Sequence, residues 1–336
     1  MNQPVLQIEN LAVEFPTKRG VIRAVNHVSL RLHKGEKLGL VGESGSGKSM
    51  TLLTLLRLTP HPGRVTSGVL RYAGRDLLGL RPHEMRALRG KDLAMIFQDP
   101  MTTLNPVYKV GEQIQESMKV HNLFAGSSSR SLWKRRQRAA ERKRIYELMS
   151  EVGIPSPAER YEAYPHEFSG GMQQRAVIAI ALSCNPHVLL ADEPTTALDV
   201  TVQAQIMNLL DRINAERGTA VILVTHDLSL AAEFCDHIAV MYAGKVVELG
   251  TVEQVTADPK HPYTVGLINA LPRMRWGKSK PLEPIPGEVD LAQLPAGCAF
   301  TDRCSRAMAH CRDQVPEKTV MDSGREVRCH LFSGDR

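Results

Sequence analysis

Residues 42–49 read GESGSGKS and constrain the fold and chemistry of this chain more than any other stretch. Every fixed position of the pattern Gly-x4-Gly-Lys-Ser is filled, between an apolar run at 38–41 and a helix-compatible run at 50–58. A strand, a glycine-rich loop and a helix in this order bind phosphate through backbone N–H groups and the helix N-terminus. The sequence therefore predicts that the chain binds a nucleoside triphosphate.

The residue types in this loop suit phosphate binding. Its glycines allow a tight turn that brings backbone N–H groups onto phosphate oxygens without Cβ clashes. Lys48 can reach the β- and γ-phosphates, and the Ser49 hydroxyl can ligate Mg²⁺. The complete pattern and its flanks disfavour the alternative, a plain glycine-rich turn before an amphipathic helix. The candidates for nucleotide contact are Gly42, Glu43, Ser44, Gly45, Ser46, Gly47, Lys48 and Ser49.

Composition places the chain among folded globular proteins. It has 336 residues, of which 43% are hydrophobic and 23% charged, and it lacks an apolar run of the roughly 18 to 20 residues that span a bilayer. Its first residues lack the charged and apolar regions of a secretory signal. We expect a protein that is cytosolic or peripheral to a membrane.

The net charge of +6 lies largely in one basic segment at 129–144. We interpret this segment as a solvated helix face; the alternative is an arm that binds an anionic membrane surface or nucleic acid. Two of the six cysteines, Cys184 and Cys235, stand alone in apolar surroundings, as small core residues do. The other four lie near the C-terminal end.

Apolar strands alternate with helical segments along the chain. Residues 5–40 alternate apolar and polar with a period of two, which is typical of an antiparallel β section. Three buried-type strands then end close to polar residues, namely Gln98, Asp192 and His226. This order predicts an α/β fold whose mainly parallel sheet binds ligand at the carboxyl ends of its strands.

Two adjacent acids, Asp192 and Glu193, close the apolar strand HVLLAD. We expect Asp192 to hold Mg²⁺, directly or through water, and Glu193 to orient or deprotonate the attacking water. A pair of surface acids is the alternative, and the buried run before them and the proline after them disfavour it.

With these motifs in place, residues 5 to about 262 resemble the ATPase subunits of ABC transporters. Phe15 matches the adenine-stacking position, although it also suits a strand core. Gln98 matches the Q-loop, a further Mg²⁺ contact, and His226 matches the H-switch. FSGGM resembles the LSGGQ signature, with Phe168 for Leu and Met172 for Gln. The matching signature residues are Ser169, Gly170 and Gly171, and the matching D-loop residues are Ala197, Leu198 and Asp199.

The resemblance implies a P-loop NTPase fold of the ABC ATPase type. It has a mainly parallel sheet core, an N-terminal antiparallel β subdomain, a helical subdomain and a small cysteine-containing C-terminal extension. We place the ATPase domain at 1–265, its helical subdomain at about 107–186, and the C-terminal domain at 266–336, after the change to a proline-rich tract.

The resemblance also implies a head-to-tail dimer of two ATPases. Ser169 and Gly171 would then contact the γ-phosphate of the nucleotide bound by the partner. ATP would close the dimer and hydrolysis through Glu193 would open it, while His226 contacts the γ-phosphate and Gln98 couples the site to a docked permease.

The stretches QDPMTTLNPVYKVGEQI, HPYT and LPAGCAFTDRC are similar to the peptide/nickel branch of ABC importers. Membership implies a second homologous ATPase, so that a heterodimer forms, together with two transmembrane permeases and an extracytoplasmic substrate-binding protein. It places the chain at the cytoplasmic face of the inner membrane, as a peripheral subunit that energises import of di- or oligopeptides, or of nickel or another small solute.

Four cysteines occupy the C-terminal extension with gaps of five, six and seventeen residues. A reducing compartment disfavours disulfides, and zinc sites usually pair cysteines two to four residues apart. Thiolates at varied spacing ligate iron–sulfur clusters, and similar tails in this branch are thought to carry [4Fe-4S]. A cluster, a zinc ion and free thiols all stay open. The residues are Cys298, Cys304, Cys311 and Cys329.

Two other classes of ABC ATPase compete with the importer. The basic charge alone suggests a soluble ATPase that acts on nucleic acid or ribosomes. Such proteins tend to have two cassettes or long coiled-coil insertions, which this chain lacks, so we expect no nucleic-acid partner. The C-terminal extension and the segment after Gln98 disfavour the second class, an ABC exporter ATPase.

Overall fold

The computed structural model describes residues 3–18, 20–123, 131–196, 198–270, 285–321 and 324–333, and the side chains of 131–137 are not described. The strands are β1 Leu6–Thr17, β2 Gly20–Leu32, β3 Lys37–Val41, β4 Arg64–Tyr72, β5 Arg75–Asp76, β6 Leu93–Ile96, β7 Val188–Asp192, β8 Ala220–Thr225, β9 His237–Tyr242, β10 Lys245–Thr251, β11 Thr319–Val320 and β12 Glu326–Val327. The helices are α1 Lys48–Leu55, α2 Pro82–Leu88, α3 Pro100–Thr103, α4 Val110–Val120, α5 Ser131–Glu151, α6 Pro157–Tyr161, α7 Gly170–Leu182, α8 Val200–Arg217, α9 Leu228–Phe234, α10 Val252–Ala257 and α11 Pro262–Asn269.

The chain divides into two compact units. The first unit comprises residues 1–79 and 222–336, and the second comprises 80–221, so β8 spans the boundary. The C-terminal extension thus belongs to the same unit as the phosphate loop. Among the helices of the described ranges, none is both long and apolar enough to cross a membrane.

The first unit begins with the antiparallel sheet that the period-two pattern predicts. Its strand order is β2-β1-β4-β5, with every neighbouring pair antiparallel. Apolar residues on one face, including Leu6, Ile8 and Leu30, are buried to within a few per cent of full burial. The alternation of buried and exposed positions is what a sheet with one solvated face requires.

The first unit also contains the strand that leads into the phosphate loop. β3 is fully buried from Leu38 onward and runs parallel to β9. A hairpin joins β9 to β10, where Ala243 (φ 46°) and Gly244 (φ 80°) take the two left-handed positions of its tight turn. Next to β10 lies β12, an antiparallel strand from the C-terminal extension.

A buried ion pair fastens this extension to β10. The Glu248 side chain is completely buried and that of Arg325 is 4% exposed, and Nε of Arg325 lies 3.1 Å from Oε1 of Glu248. Glu248 also accepts the backbone N–H groups of Lys260 at 3.0 Å and His261 at 2.9 Å. These bonds satisfy a charge that would otherwise be costly to bury.

The second unit combines two parallel strands with helices. β6 pairs with β7 in parallel, and both are entirely buried, as expected for strands covered on both faces. Helices α4 to α7 lie within the range 107–186 that the sequence predicts as a helical subdomain. Their apolar faces pack around Ile114, Leu148 and Ile178, all completely buried.

Candidate functional site

The phosphate loop connects β3 to α1, as the sequence predicts. Gly45 and Gly47 adopt φ values of 77° and 100°, which glycine reaches without the Cβ penalty of other residues. A Cβ at position 42 would lie 2.2 Å from the carbonyl oxygen of Met241, and one at position 47 would lie 2.3 Å from that of Ala24. The glycines are therefore needed for backbone conformation at two positions and for close packing at two.

Lys48 occupies the centre of this loop. Its side chain is buried, and its ammonium group donates to the carbonyl oxygens of Gly42 at 2.7 Å and Glu43 at 2.9 Å. The backbone N–H of Ser46 donates to the Glu43 carbonyl at 3.2 Å, which closes the turn. A cation at the N-terminus of α1 provides the electrostatics that a polyphosphate requires, and the half-buried Ser49 follows it on the same helix.

Residues far along the chain hold Glu43, the second residue of the loop. Its backbone N–H donates to the Tyr263 hydroxyl at 2.9 Å, and its carboxylate accepts from Arg303 at 2.8 and 3.0 Å. Burial lowers the pKa of His261 to about 3, so this histidine is neutral and its Nδ1 accepts from the backbone N–H of Tyr263. The sequence reasoning missed all three side chains, since no local pattern connects them to residue 43.

The acidic pair lies in the second unit, at the end of β7. Asp192 is buried, while Glu193 is half-buried and has a left-handed φ of 45°. Oε2 of Glu193 accepts from Nε2 of Gln98 at 3.1 Å and from Oγ1 of Thr196 at 2.9 Å. The structure therefore brings the predicted Gln98 and Glu193 together, and it adds Thr196, which the sequence analysis did not single out.

The signature residues open α7, also in the second unit. Ser169 is the N-cap, and its Oγ accepts from the backbone N–H of Met172 at 3.4 Å. A Cβ at Gly170 would meet nothing within 4 Å, so a ligand can approach this helix end closely. Phe168 is buried, which shows that an aromatic ring fits where the signature usually has leucine.

The D-loop aspartate lies beside this helix end. Asp199 caps α8 through a bond from the backbone N–H of Val202 to its Oδ1 at 2.9 Å. Gly171 packs against that same Val202, since a Cβ on the glycine would lie 2.9 Å from Cγ1 of the valine. Ala197, the first residue of the predicted D-loop, lies outside the described residues.

The two remaining nucleotide candidates, Phe15 and His226, lie in the first unit. Phe15 is half-exposed on β1, and its ring covers Gly63, where a Cβ would lie 2.4 Å from the ring. His226 is exposed and follows β8 directly, before the N-cap residue Asp227 of α9. His226 is therefore not a core histidine, and its catalytic role stays a prediction.

The four cysteines of the extension line one small cavity. Backbone N–H groups point at two of the sulfur atoms, from Arg306 to Cys304 at 3.4 Å and from Met308 to Cys311 at 3.5 Å. Burial raises the pKa of Cys329 to about 11, and it also raises the pKa of Cys304. These two thiols are therefore protonated at neutral pH unless a cation stabilises the thiolates.

Comparisons with known proteins identify the family of this chain. The ABC transporter family matches residues 25–196, which are 172 of the 336 residues and include the phosphate loop, the signature and the acidic pair. The chain belongs to the ATP-binding subunits of ABC transporters. The family described as oligopeptide/dipeptide transporter, C-terminal region, matches residues 247–311. As an ABC transporter ATPase, the chain binds and hydrolyses ATP with Mg²⁺ and works with membrane permeases.

Relatives of this ABC ATPase match it over nearly its whole length. The dipeptide transport ATP-binding protein of Bacillus subtilis is 45% identical, and the match covers 98% of this chain and 95% of the relative. The dipeptide transport ATP-binding protein of Escherichia coli is 45% identical, with 97% of this chain and 96% of the relative covered. The oligopeptide transport ATP-binding protein of Bacillus subtilis is 44% identical, with 98% of this chain and 90% of the relative covered.

Solved structures confirm the predicted fold. An ATP-binding cassette solved as a dimer, in a post-hydrolysis state with ADP and phosphate, superposes with a TM-score of 0.64 at 28% identity. The match covers 74% of this chain and 98% of that one. The expectation of an α/β ABC ATPase with an antiparallel N-terminal sheet is therefore confirmed.

Proposed function

We propose that this ABC ATPase energises the import of di- or oligopeptides across the plasma membrane, from its cytoplasmic face. The similarity to dipeptide and oligopeptide transport proteins, extending through the C-terminal region, carries this proposal. The same region distinguishes the chain from an ATPase that acts on nucleic acid, and only the net charge of +6 favours that alternative.

We assign the hydrolytic step to the end of β7. Asp192 and Gln98 would hold Mg²⁺, and Glu193 would take the proton of the attacking water. The hydrogen bonds from Gln98 and Thr196 orient the Glu193 carboxylate, which supports this role. His226 contacts the γ-phosphate.

The nucleotide itself is bound mainly by the phosphate loop, with Phe15 stacked on the adenine. We assign contacts with the nucleotide of a partner ATPase to the open N-terminus of α7, at Ser169, Gly170 and Gly171, beside the D-loop residue Asp199. The exposed cap and the open space at Gly170 support this assignment.

The partners complete the importer. We propose a second, homologous ATPase as the dimer partner, two permeases, and an extracytoplasmic protein that delivers the peptide. Three exposed apolar side chains within ten residues of Gln98 support permease docking there, with Met101 75%, Val107 72% and Tyr108 55% exposed. Apolar groups with this exposure in one short segment are typical of an interaction surface.

For the cysteine cavity we propose a [4Fe-4S] cluster held by Cys298, Cys304, Cys311 and Cys329. A zinc ion bound by thiolates at 2.3 Å requires sulfur atoms only about 3.8 Å apart. Among the described residues, the one group of three ligand atoms within 4.8 Å of one another is His310, Cys311 and His330, so no three of the four sulfurs lie this close together.

The backbone N–H groups that point at the sulfurs also suit a cluster of this kind. Such a cluster supplies one-electron redox chemistry and cross-links the ligand loops. Anaerobic purification is expected to give a brown protein with about four iron atoms per chain. A colourless, iron-free anaerobic preparation would exclude the cluster.

Reconstituted transporter tests the main proposal. We expect ATP hydrolysis to rise with a peptide-loaded binding protein, and we expect Glu193→Gln to bind ATP without turnover when the partner site is also inactivated. Nickel or an unrelated solute that stimulates hydrolysis where peptides do not would overturn the substrate assignment. Full turnover by Glu193→Gln under these conditions would overturn the role of Glu193.

A further inference from the structure

Arg303 connects the C-terminal extension to the ATP-binding loop. Its guanidinium forms a two-pronged ion pair with the Glu43 carboxylate, at 2.8 and 3.0 Å, although 260 residues separate the two in sequence. The arginine side chain is only 9% exposed. Charge-assisted, bidentate pairs of this kind fix both distance and orientation.

Other contacts hold Arg303 itself in place. Nε donates to the carbonyl oxygen of Pro286 at 2.8 Å, and Nη1 donates to the Tyr242 hydroxyl at 3.3 Å. The guanidinium also lies 5.7 Å from the Tyr242 ring centre and 6.0 Å from that of Phe300, within range of a cation–π interaction. The arginine is thus a fixed support and not a mobile surface chain.

The fixed residue acts on the part of the loop that holds Lys48. The carbonyl oxygen of Glu43 accepts a hydrogen bond from the Lys48 ammonium at 2.9 Å. The Tyr263 hydroxyl accepts from the Glu43 backbone N–H. Glu43 is therefore held at its side chain and its backbone, and its carbonyl is one of the two that fix the ammonium of Lys48.

We propose that Arg303 is a positioning residue for ATP binding, which sets the phosphate loop through Glu43 and makes the C-terminal extension part of the ATP site. The proposal rests on the role of Lys48 in ATP binding assigned above. It differs from a purely structural role, in which Arg303 would only attach the extension to the rest of the unit.

Equilibrium titration of the full-length chain with Mg·ATP tests the proposal. Coupling between linked sites commonly changes affinity 5- to 150-fold, so we expect Arg303→Met and Glu43→Gln each to raise the Kd for ATP about tenfold. The double variant should bind ATP no more weakly than either single variant, because the two substitutions remove the same contact. Arg303→Lys should lie in between, since an ammonium group keeps the charge but not the two-pronged geometry.

Two arginines of the same extension serve as matched controls. Arg325→Met loosens the extension at β10 without touching Glu43, and Arg312→Met removes an arginine that is 71% exposed and paired with Asp302. Neither should change the Kd for ATP, provided that circular dichroism shows folded protein at the assay temperature. An unchanged Kd in both Arg303→Met and Glu43→Gln would overturn the proposal, as would an equal loss in Arg325→Met.

The same titration separates this inference from the assignment beneath it. Lys48→Ala is expected to weaken ATP binding strongly. If it does and the Arg303 and Glu43 variants do not, only the positioning role fails. If Lys48→Ala binds ATP like the unmodified chain, the assigned role of Lys48 fails first.

Discussion

Removing the carboxylate of Glu248 should destabilise the first unit severely. In Glu248→Ala the guanidinium of Arg325, 4% exposed, loses its buried counter-ion, and the backbone N–H groups of Lys260 and His261 lose their acceptor. Breaking a buried ion pair by removing one partner costs about 3–5 kcal/mol. At roughly 2–4 °C per kcal/mol for a unit of this size, the melting temperature should fall by about 10 °C.

Thermal unfolding by calorimetry measures this effect. Glu248→Gln should lose less, because its amide oxygen can still accept one of the two backbone N–H groups, which bond to different oxygens of the carboxylate. The double variant Glu248→Met, Arg325→Met should also lose less than Glu248→Ala, because it removes the buried guanidinium together with its buried counter-ion. A fall of less than about 2 °C in Glu248→Ala would refute the reasoning.

A second ion pair of the extension provides the control for this experiment. Lys318 and Glu326 lie 2.9 Å apart, with 37% and 26% of their side chains exposed. Because water screens such a pair, Lys318→Ala should change the free energy of unfolding by no more than about 1 kcal/mol. A loss as large as that of Glu248→Ala would show that the extension responds to any change of charge.

Three further predictions concern other groups of the first unit. Gly42→Ala should lower the melting temperature more than Gly45→Ala. A Cβ at position 42 would lie 2.2 Å from a carbonyl oxygen, whereas a Cβ at position 45 meets no atom. At position 45 an alanine costs only the roughly 1–2 kcal/mol of a left-handed backbone conformation. The contact with Glu36 raises the pKa of His237. The protonated histidine therefore stabilises the fold at pH values below its ordinary pKa, and this stabilisation is lost as the pH rises through the raised pKa. The melting temperature of His237→Asn, measured at several pH values, should depend less on pH than that of the unmodified chain. Burial raises the pKa of Cys235 to about 12, so mass spectrometry should find this thiol unmodified after native treatment with iodoacetamide at neutral pH.

Local chemistry made much of the nucleotide site predictable. The phosphate loop needs glycine, lysine and serine at fixed spacing, and the Ser169 cap needs a hydroxyl one residue before its helix. The end of β7 is marked by the change from apolar residues to Asp192 and Glu193. In each case the residues that act together are neighbours in the sequence.

The supports of the site were not predictable, because they depend on long-range packing. Tyr263 and Arg303 reach Glu43 across 220 and 260 residues, and neither stands in a local pattern that indicates a partner. Thr196 is close to Glu193 in sequence, yet no local pattern indicates that its hydroxyl donates to that carboxylate. The motif identifies the groups that react, whereas the fold decides which groups hold them.

The pairing of β12 with β10 has a consequence for solubility. A strand at the edge of a sheet exposes a row of unpaired N–H and C=O groups, to which a strand of another chain can bind. In β10, whose side chains are largely buried, β12 covers this edge through hydrogen bonds at residues 248 and 249. A chain shortened to the ATPase cassette would uncover this edge, so the C-terminal extension protects the cassette against self-association.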